Sequence, residues 1–401
     1  MERVAGIGRN GMERDDRMTL RVAQLLPTLG VGGAEKLQVT LAIAARERPL
    51  DVTMIVLADA TSGSVPDALR TLGVQVVELP GRNLRDVRRF RSLVQHLNDA
   101  RYDVVQSHLT TANILVAVAG RLTSTPTIAT LHSVDGSPLF YRGQPPRFPL
   151  ARWVFETLAL RFGVSRVVAV GHGVAAAHAR RVGGRKIEVI PNAVMPSARL
   201  TTTERVELRR ELSSNPSGPL VISVGRVVAA KGFHDLIDAF ARVAVDRPDA
   251  RLVVVGDGSL RRDLESRIVA LGLDDIVRLA GSRNDVPRLL AAADLYVSAS
   301  HWEGLPISIL EAMSAGLPVV GTQVGDVPQV VVPGTGTVVP PGRPELLASA
   351  IVDMLNDPVR MQAAGRTARC QTEQAYALDV WMDRLIVLYE DVSGTRVRPR
   401  V

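Results

Sequence analysis

Short apolar runs alternate with amphipathic stretches along the chain from Thr19 onward. The apolar runs are rich in Val and Ile and mostly apolar on both faces, which is typical of strands covered on two sides. The stretches between them have the spacing of amphipathic helices. In the first half the predicted strands are Leu20–Leu26, Val52–Leu57, Val74–Leu79, Asp103–Gln106, Thr127–Leu131, Val167–Val170 and Ile187–Ile190. The predicted helices there include Ala34–Arg46, Leu84–Asn98, Thr111–Arg121 and Phe148–Phe162.

The pattern stops at Pro191–Gly218, which holds one short charged helix, Glu204–Leu212, and then restarts. The second set of predicted strands is Leu220–Val224, Leu252–Val255, Ile276–Leu279, Leu295–Ser298 and Pro318–Gly321. The second set of helices is Phe233–Val245, Leu260–Leu271, Val286–Ala292, Pro306–Ala315 and Glu345–Leu355, with a helical tail at about Gln374–Val392. This order predicts an α/β chain with two doubly wound, Rossmann-like parallel-sheet domains. Ligands of such sheets bind beyond the carboxyl ends of the strands, so we expect the site in the cleft where the two sheets face each other.

The pattern divides the chain into four segments. Residues 1–17 are polar and charged without periodicity, and we interpret them as a disordered leader. Residues 18–200 and 201–373 are the two expected domains. Residues 374–401 are the C-terminal helix and tail, which we expect to pack back toward the N-terminal domain.

The composition is that of a folded chain, with 46% hydrophobic and 22% charged residues among 401. The one cysteine, Cys370, excludes a disulfide scaffold and a cysteine-based zinc site, and it agrees with a reducing compartment. The sequence has no run of about 18 apolar residues, which predicts no membrane-spanning helix. We therefore expect a cytoplasmic protein.

The positive charge belongs to the first half of the chain. Residues 1–200 hold 26 Lys and Arg against 16 Asp and Glu, whereas residues 201–401 hold 22 against 25. A basic domain favours an anionic partner such as a phosphate group or an acidic lipid surface. Nucleic acid is excluded as a partner, because only 4% of the residues are aromatic and no zinc-finger, RNP or zipper pattern occurs.

Two predicted loops carry groups suited to phosphate. Gly32 and Gly33 follow the first strand and open a helix, where free N–H groups favour an anion, although a simple tight turn explains the same residues. This loop is not a dinucleotide-binding G-x-G-x-x-G, and the sequence contains no P-loop. Arg226 and Lys231 follow the first strand of the second domain and bring two cations to the edge of the cleft. Such a pair can neutralise a diphosphate, or it can be surface charge in a solvated loop.

The most informative stretch runs from Ser300 to Val320. Glu303 lies in the loop after a strand, and Glu311 lies within the helix that follows. Pro306 suits the first helical turn. A carboxylate at Glu311, on an otherwise apolar segment, is costly if it is buried without a partner, which favours a polar ligand. The helix start, at Gly304, Leu305 and Ile307, can present N–H groups to an anion.

These segments resemble the retaining glycosyltransferases of family 4, which have the two-domain GT-B fold. The spacing of Glu303 and Glu311 inside E-G-L-P-x-x-x-L-E-A-M-x-A-G-x-P-V-V is the most specific element of the resemblance. Five further blocks occur in family order, namely G-G-A-E at 32–35, T-L-H at 130–132, V-I-P-N-A-V at 189–194, V-G-R-x4-K-G at 224–232 and V-V-G-D-G at 254–258. The resemblance extends from Met18 to about Val392. One departure is Ala169-Val-Gly-His-Gly173, where many relatives have V-x-V-S.

The resemblance implies roles for individual residues. Arg226 and Lys231 would hold the donor diphosphate, Glu311 the ribose hydroxyls, and Glu303 would lie against the donor sugar. His132 would orient a hydroxyl beside the transferring sugar. The loop 281–283, with Arg283, would line the nucleobase. The remaining donor-side candidates are Gly32, Gly33, Gly256, Gly304, Leu305, Pro306 and Ile307. The acceptor-side candidates are His108, His132 and Asn192.

The resemblance also implies the class of reaction. The N-terminal domain would bind the acceptor and the C-terminal domain a nucleoside-diphosphate sugar, with UDP preferred to GDP. No cofactor and no metal are expected, because cations and helix-start amides would stabilise the leaving diphosphate and no D-x-D motif occurs. Two alternatives share the fold: a sugar phosphorylase and a non-catalytic nucleotide-sugar-binding subunit.

The expected acceptor is a lipid-linked or cell-envelope glycan. Arg82, Arg85, Arg88, Arg89 and Arg91 cluster at one predicted helix start, and residues 139–153 mix arginines with aromatic residues. Basic and aromatic surfaces are typical of proteins that bind anionic leaflets. We therefore hypothesise peripheral contact with the inner face of the cell membrane, against the alternative of ordinary solvated loops. Donor, acceptor and oligomeric state are not specified by the sequence.

Overall fold

The computed structural model describes residues 19–30, 32–58, 63–79, 81, 86–134, 150–183 and 187–397. Within these ranges the chain forms two parallel sheets, each covered by helices on both faces. This confirms the two doubly wound domains predicted from the hydrophobic pattern. The predicted leader, Arg82, Arg85 and residues 139–149 lie outside the described residues.

The first sheet has seven strands in the order β3-β2-β1-β4-β5-β6-β7, all of them paired in parallel. Its strands are β1 Leu20–Leu26, β2 Leu50–Val56, β3 Gln75–Glu78, β4 Val104–His108, β5 Thr127–Leu131, β6 Arg166–Ala169 and β7 Ile187–Val189. Its helices are α1 Gly33–Ala45, α2 Ser64–Thr71, α3 Val87–Ala100, α4 Leu109–Thr123, α5 Leu150–Leu158 and α6 His172–Val182, and a π-helical turn at Ala159–Gly163 follows α5.

The second sheet has six strands in the order β10-β9-β8-β11-β12-β13, again all parallel. Its strands are β8 Leu220–Val224, β9 Arg251–Val255, β10 Val277–Gly281, β11 Leu295–Ser298, β12 Val319–Thr322 and β13 Gly336–Val339. Its helices are α7 Thr202–Leu212, α8 Phe233–Asp246, α9 Arg261–Ala270, α10 Val286–Ala292, α11 Ile307–Ser314, α12 Val327–Val330, α13 Pro344–Leu355 and α14 Pro358–Ala375, with a 3₁₀ turn at Ala229–Lys231.

The last helix, α15 Leu378–Ser393, packs against the first sheet although the chain reaches it from the second domain. Its buried residues, among them Met382 and Tyr389, share a hydrophobic cluster with Leu20 and Val22 of β1. The ion pair between Arg166 and Asp391, at 2.7 Å, joins the same two parts of the chain at the surface. The helix therefore ties the end of the chain to the first domain.

Several elements differ from the sequence-based prediction. The tail is two helices rather than one, and a boundary at residue 373 falls inside α14. Only the small residues Ala364, Gly365, Ala368 and Thr372 are buried along α14, so the helix has no strong apolar periodicity to recognise. The short edge strand β13 and the helices α2 and α6 were not predicted. Pro306 precedes α11 as its N-cap, one residue before the helix begins.

None of the helices within the described ranges is long and apolar enough to cross a membrane.

Candidate active site

The carboxyl ends of the two sheets face each other, and glycines let the facing loops approach closely. A Cβ atom added to Gly304 would lie 2.1 Å from the carbonyl oxygen of His132, a contact that a larger residue cannot make. A Cβ atom on Gly33 would lie 3.5 Å from Cδ1 of Ile307. The loops after β1 and β5 thus meet the loop before α11, and they form one cleft from both domains.

Lys231 and Glu303 form an ion pair in this cleft. Nζ of Lys231 lies 2.5 Å from Oε1 of Glu303, and the hydroxyl of Ser300 donates to the same oxygen at 2.7 Å. The Glu303 side chain is 11% exposed, so its charge needs these two partners. The arrangement holds one cation and one carboxylate at the end of β11, where a ligand can contact both.

Arg226 lies on the same side of the cleft with its side chain exposed. Its guanidinium has no hydrogen bond or ion pair with any residue in the described ranges. Across the cleft, burial raises the pKa of Glu35, and the positive charge of Arg226 acts against that shift. Arg226 is therefore available to an anionic ligand.

Glu311 lies half-buried on α11. Its carboxylate accepts no hydrogen bond and forms no ion pair with the residues that the structure describes. Burial raises its pKa, and the positive charge of Lys36 on α1 opposes this effect. An unpaired carboxylate that faces a cleft is suited to bind hydroxyl groups of a ligand.

His132 and His108 form a direct hydrogen bond at the end of the first sheet. Nε2 of His132 lies 2.8 Å from Nδ1 of His108, which is 3% exposed and lies behind His132. Burial lowers the pKa of His132 to about 4 and holds the pKa of His108 well below its usual value. Both rings are therefore neutral near pH 7, and a neutral imidazole can accept a proton or a hydrogen bond.

The remaining predicted residues have structural contacts of their own. Gly256 has a φ of +138°, and a Cβ atom there would lie 1.9 Å from the carbonyl oxygen of Gly225, so close backbone packing requires the glycine. The guanidinium of Arg283 is shared by Glu211 at 2.6 Å and Asp285 at 2.7 Å. Asn192 is 3% exposed, and its Nδ2 lies 3.5 Å from the carbonyl oxygen of Leu305 at the junction of the domains.

Asp326 makes a cross-cleft contact that the sequence did not reveal. Its carboxylate accepts hydrogen bonds from the backbone N–H groups of Gly173, at 2.7 Å, and Val174, at 3.3 Å, at the start of α6. A Cβ atom on Gly171 would lie 2.1 Å from this carboxylate. The segment 169–173 is the one that departs from the family pattern, and its glycines make room for a helix cap supplied by the other domain.

Lys36, Glu35, Ser300 and Asp326 are site residues to which the sequence analysis gave no role, although Glu35 ends the G-G-A-E block and Ser300 begins the stretch 300–320. Lys36 is one of only three lysines in the chain, and that rarity was the available signal. The other three are ordinary polar residues in loops or helix starts. No group of three or more His, Cys, Asp or Glu side chains that could hold a metal ion occurs in the described part of the chain.

Two family models together match most of the chain. The model described as Glycosyltransferase Family 4 matches residues 31–197, and the model described as Glycosyl transferases group 1 matches residues 204–371. The boundary between the matches coincides with the linker that precedes α7.

Curated relatives match over part of their length. An alpha-D-kanosaminyltransferase from Streptomyces kanamyceticus is 34% identical over 196 residues, which are 48% of this chain and 50% of that protein. A GDP-mannose-dependent monoacylated alpha-(1-6)-phosphatidylinositol monomannoside mannosyltransferase from Corynebacterium glutamicum is 31% identical over 194 residues, which are 46% of this chain and 50% of that protein. The chain thus spans about half the length of the curated relatives it matches.

Solved structures match over nearly the whole chain. Anabaena Alr3699/HepE in complex with UDP-glucose has a TM-score of 0.82 at 23% identity, with 93% of this chain and all of that chain covered. WaaG, a glycosyltransferase involved in lipopolysaccharide biosynthesis, has a TM-score of 0.74 at 20% identity, with 93% and 100% covered. These likenesses establish the predicted GT-B fold.

Proposed function

Since the chain belongs to glycosyltransferase family 4, we propose that it moves a hexose-type sugar from a nucleoside-diphosphate sugar to a hydroxyl of an acceptor, with retention of configuration and without a metal. The observation that carries this proposal is the grouping at one cleft of Arg226, Lys231, Glu303, Glu311 and His132. The two cations suit the donor diphosphate, the two carboxylates suit hydroxyl groups of the nucleotide sugar, and the neutral imidazole can orient a sugar hydroxyl.

UDP is the proposed donor nucleotide. Anabaena Alr3699/HepE is described in complex with UDP and with UDP-glucose, and a relative from Escherichia coli is named as a UDP-Gal-dependent galactosyltransferase. The Corynebacterium glutamicum relative is named as GDP-mannose-dependent, which makes GDP the alternative. Glu311 is the carboxylate proposed to bind the ribose hydroxyls, a role that does not discriminate between the two bases.

The reaction proposed for this cleft is a front-side attack on the donor sugar. The acceptor oxygen bonds to the anomeric carbon while the bond to the diphosphate oxygen breaks, and the leaving phosphate takes the acceptor proton. Arg226 and Lys231 stabilise the charge that develops on the diphosphate. Glu303 positions Lys231 and the donor sugar. The close contact between Gly304 and His132 joins the two domains at the cleft. Closure of the domains around the donor would exclude water, so that transfer outcompetes hydrolysis.

Thermal unfolding with added nucleotide tests the proposal. In EDTA, UDP is expected to raise the midpoint, because a ligand at a hundredfold excess over Kd stabilises the native state by about 2.7 kcal/mol. The same measurement is made with GDP and with ADP, and the three shifts in midpoint are compared. We expect the shift to vanish in Glu311→Ala, since that variant lacks the carboxylate proposed to hold the ribose. Glu345→Ala removes a partly exposed carboxylate on α13, paired with Arg343, and is the control variant that should keep the shift.

Three outcomes would contradict the proposal. A shift that needs a divalent cation would exclude metal-independent donor binding. No shift with any nucleotide would favour the phosphorylase, which would cleave a disaccharide only with added phosphate. If the donor is bound, NMR of the product should show the same anomeric configuration as in the donor, and inversion would refute retention.

We further propose a lipid-linked or cell-envelope glycan as acceptor, with peripheral membrane contact through an apolar face. This face consists of large exposed side chains on α4, α5 and the π-helical turn, namely Val118, Leu122, Val154, Phe155, Leu158 and Phe162, which are 40–63% exposed. Arg161 lies over the Phe162 ring, with its guanidinium carbon 5.5 Å from the ring centroid. The one acidic residue of these elements, Glu156, is buried and paired with Arg181 at 2.8 Å. The face is thus apolar and cationic, which suits an anionic leaflet.

Liposome flotation at low salt tests the membrane contact. The wild-type protein is expected to float with anionic vesicles and less with neutral ones. The double variant Phe155→Ser/Phe162→Ser should lose most of this binding and keep nucleotide binding, since the face lies outside the cleft. Val245→Ser, which removes an 80% exposed side chain from the second domain, should float like the wild type. The membrane contact would be refuted if the wild-type protein floated with neither kind of vesicle, or if the double variant floated as well as the wild type.

A further inference from the structure

A chain of hydrogen bonds runs from His132 at the cleft to Tyr389 on the C-terminal helix α15. Nε2 of His132 lies 2.8 Å from Nδ1 of His108, and Nε2 of His108 lies 2.7 Å from Oε1 of Gln24. Nε2 of Gln24 donates in turn to the hydroxyl of Tyr389 at 3.1 Å. His108, Gln24 and Tyr389 are each no more than 3% exposed, so these polar groups have no solvent to replace a lost partner.

A second glutamine closes the network at its far end. Oε1 of Gln106 accepts from the Tyr389 hydroxyl and from Nε2 of Gln24, and Nε2 of Gln106 donates to the Thr130 hydroxyl at 2.7 Å. Thr130 lies two residues before His132 on β5. With these amide orientations every donor of the network meets an acceptor, and flipping only one of the two amides would set two donors or two acceptors against each other.

This orientation determines the protonation of both histidine rings. Nε2 of His108 has two neighbours: Oε1 of Gln24, which can only accept, at 2.7 Å, and Nε2 of Gln38, which can only donate, at 3.5 Å. The shorter contact places the proton on Nε2 of His108, and Nδ1 of His108 then accepts. His132 must then donate from its Nε2 to His108, which leaves Nδ1 as its unprotonated ring nitrogen. Within the described ranges, Nδ1 of His132 has no hydrogen-bond partner. It is therefore the ring nitrogen available to accept from a ligand hydroxyl.

We propose that His108, Gln24 and Tyr389 are positioning residues that hold His132 in the Nε2–H tautomer, so that Nδ1 accepts a hydrogen bond from a sugar hydroxyl at the cleft. This inference rests on the proposed function for the role of the hydroxyl. The tautomer itself follows from the contacts in the protein and is testable without substrate. The burial that keeps the pKa of both histidines low agrees with neutral rings.

The position of Tyr389 makes the network unusual. Its helix follows the second domain in sequence but packs on the first sheet, where its hydroxyl reaches the middle of β1 and β4. Two buried glutamines on adjacent strands are costly unless they are fully bonded. The C-terminal helix therefore supplies the hydroxyl that completes the support of a residue at the cleft.

Ring-nitrogen NMR of histidine-labelled protein tests the tautomer without substrate. The wild type should show His132 with a protonated Nε2 and an unprotonated Nδ1. His108→Leu removes the acceptor and should produce a mixture of the two tautomers. Tyr389→Phe should weaken the preference, because Nε2 of Gln24 then keeps only one of its two acceptors, Oε1 of Gln106. Tyr102→Phe removes another buried tyrosine hydroxyl in the same domain, one bonded to His96 at 2.9 Å, and should leave the His132 signals unchanged.

Transfer kinetics then test the consequence. We expect Tyr389→Phe to lower kcat about tenfold with little change in KM for the donor, since positioning of a reacting group acts on the transition state. His108→Asn keeps an oxygen near the position of Nδ1 and should recover part of the activity that His108→Leu loses. An unchanged kcat in His108→Leu would refute the positioning role.

Failure of the tautomer proposal can be distinguished from failure of the proposed function. If the wild type shows the Nδ1–H tautomer of His132, the proposed positioning of His132 is wrong, whatever the enzyme transfers. If the tautomer is as expected but no nucleotide sugar is turned over, the positioning proposal stands and the proposed function fails.

Discussion

Replacing Lys231 with glutamine is expected to lower kcat at least about a hundredfold, the usual cost of removing one preorganised group that stabilises a developing negative charge. The substitution removes a cation from the cleft and also leaves Glu303, which is 11% exposed, with only the Ser300 hydroxyl as a partner. Steady-state rates with the donor identified by thermal unfolding provide the measurement. KM for the donor should change less than kcat, because the charge on the diphosphate grows in the transition state.

Two further variants separate the charge of Lys231 from its pairing with Glu303. Lys231→Arg keeps the charge but not the compact ammonium at 2.5 Å from Glu303, and we expect an intermediate rate. Glu303→Gln combined with Lys231→Gln should cost less than the sum of the two single changes, because the two side chains act as one unit. Full activity in Lys231→Gln would show that the ion pair has only a structural role.

Gly304→Ala is expected to lower kcat on the order of a hundredfold, as misplacement of reacting groups by about 1 Å does. The added methyl group would lie 2.1 Å from the carbonyl oxygen of His132, a backbone atom that cannot rotate away, so the two domains must separate. Small-angle scattering should show a larger radius of gyration. Gly30→Ala is the matched control, because its nearest neighbour would be 3.9 Å away. An unchanged rate in Gly304→Ala would mean that transfer does not need this contact.

Gly171→Ala tests the same closure at another point of the cleft. Its methyl group would overlap the Asp326 carboxylate, which caps α6 from the other domain. We expect a smaller loss of activity than for Gly304→Ala, because a side chain can move where a backbone cannot. Ala179→Ser, exposed on the same helix, should behave like the wild type. A Gly171→Ala variant with normal scattering and normal rate would show that Asp326 is not needed for closure.

The fold was predictable because its main elements carry their signal locally. The strands Leu20–Leu26, Thr127–Leu131, Leu220–Val224 and Leu295–Ser298 have the same limits in the structure as in the hydrophobic pattern. The helix α14 was missed, because it buries small residues rather than an apolar stripe. The edge strand β13 was missed because it is short and begins with a glycine.

The candidate site was predictable only in part. The cations Arg226 and Lys231 and the carboxylates Glu303 and Glu311 stand out in sequence, because charged residues at strand ends and on an apolar helix need a reason to be there. That Lys231 pairs with Glu303 does not follow from those positions, since 72 residues separate the two in the chain.

The sequence by itself determined the two doubly wound domains and the family to which the chain belongs, because periodicity, strand-end glycines and short motifs are local properties. Only the tertiary structure decided which groups meet: Asp326 with the start of α6, Lys231 with Glu303, and Tyr389 with the support of His132. Each of these contacts joins elements far apart in the chain. Their formation depends on how the two domains and the last helix pack together, which no local pattern of residues encodes.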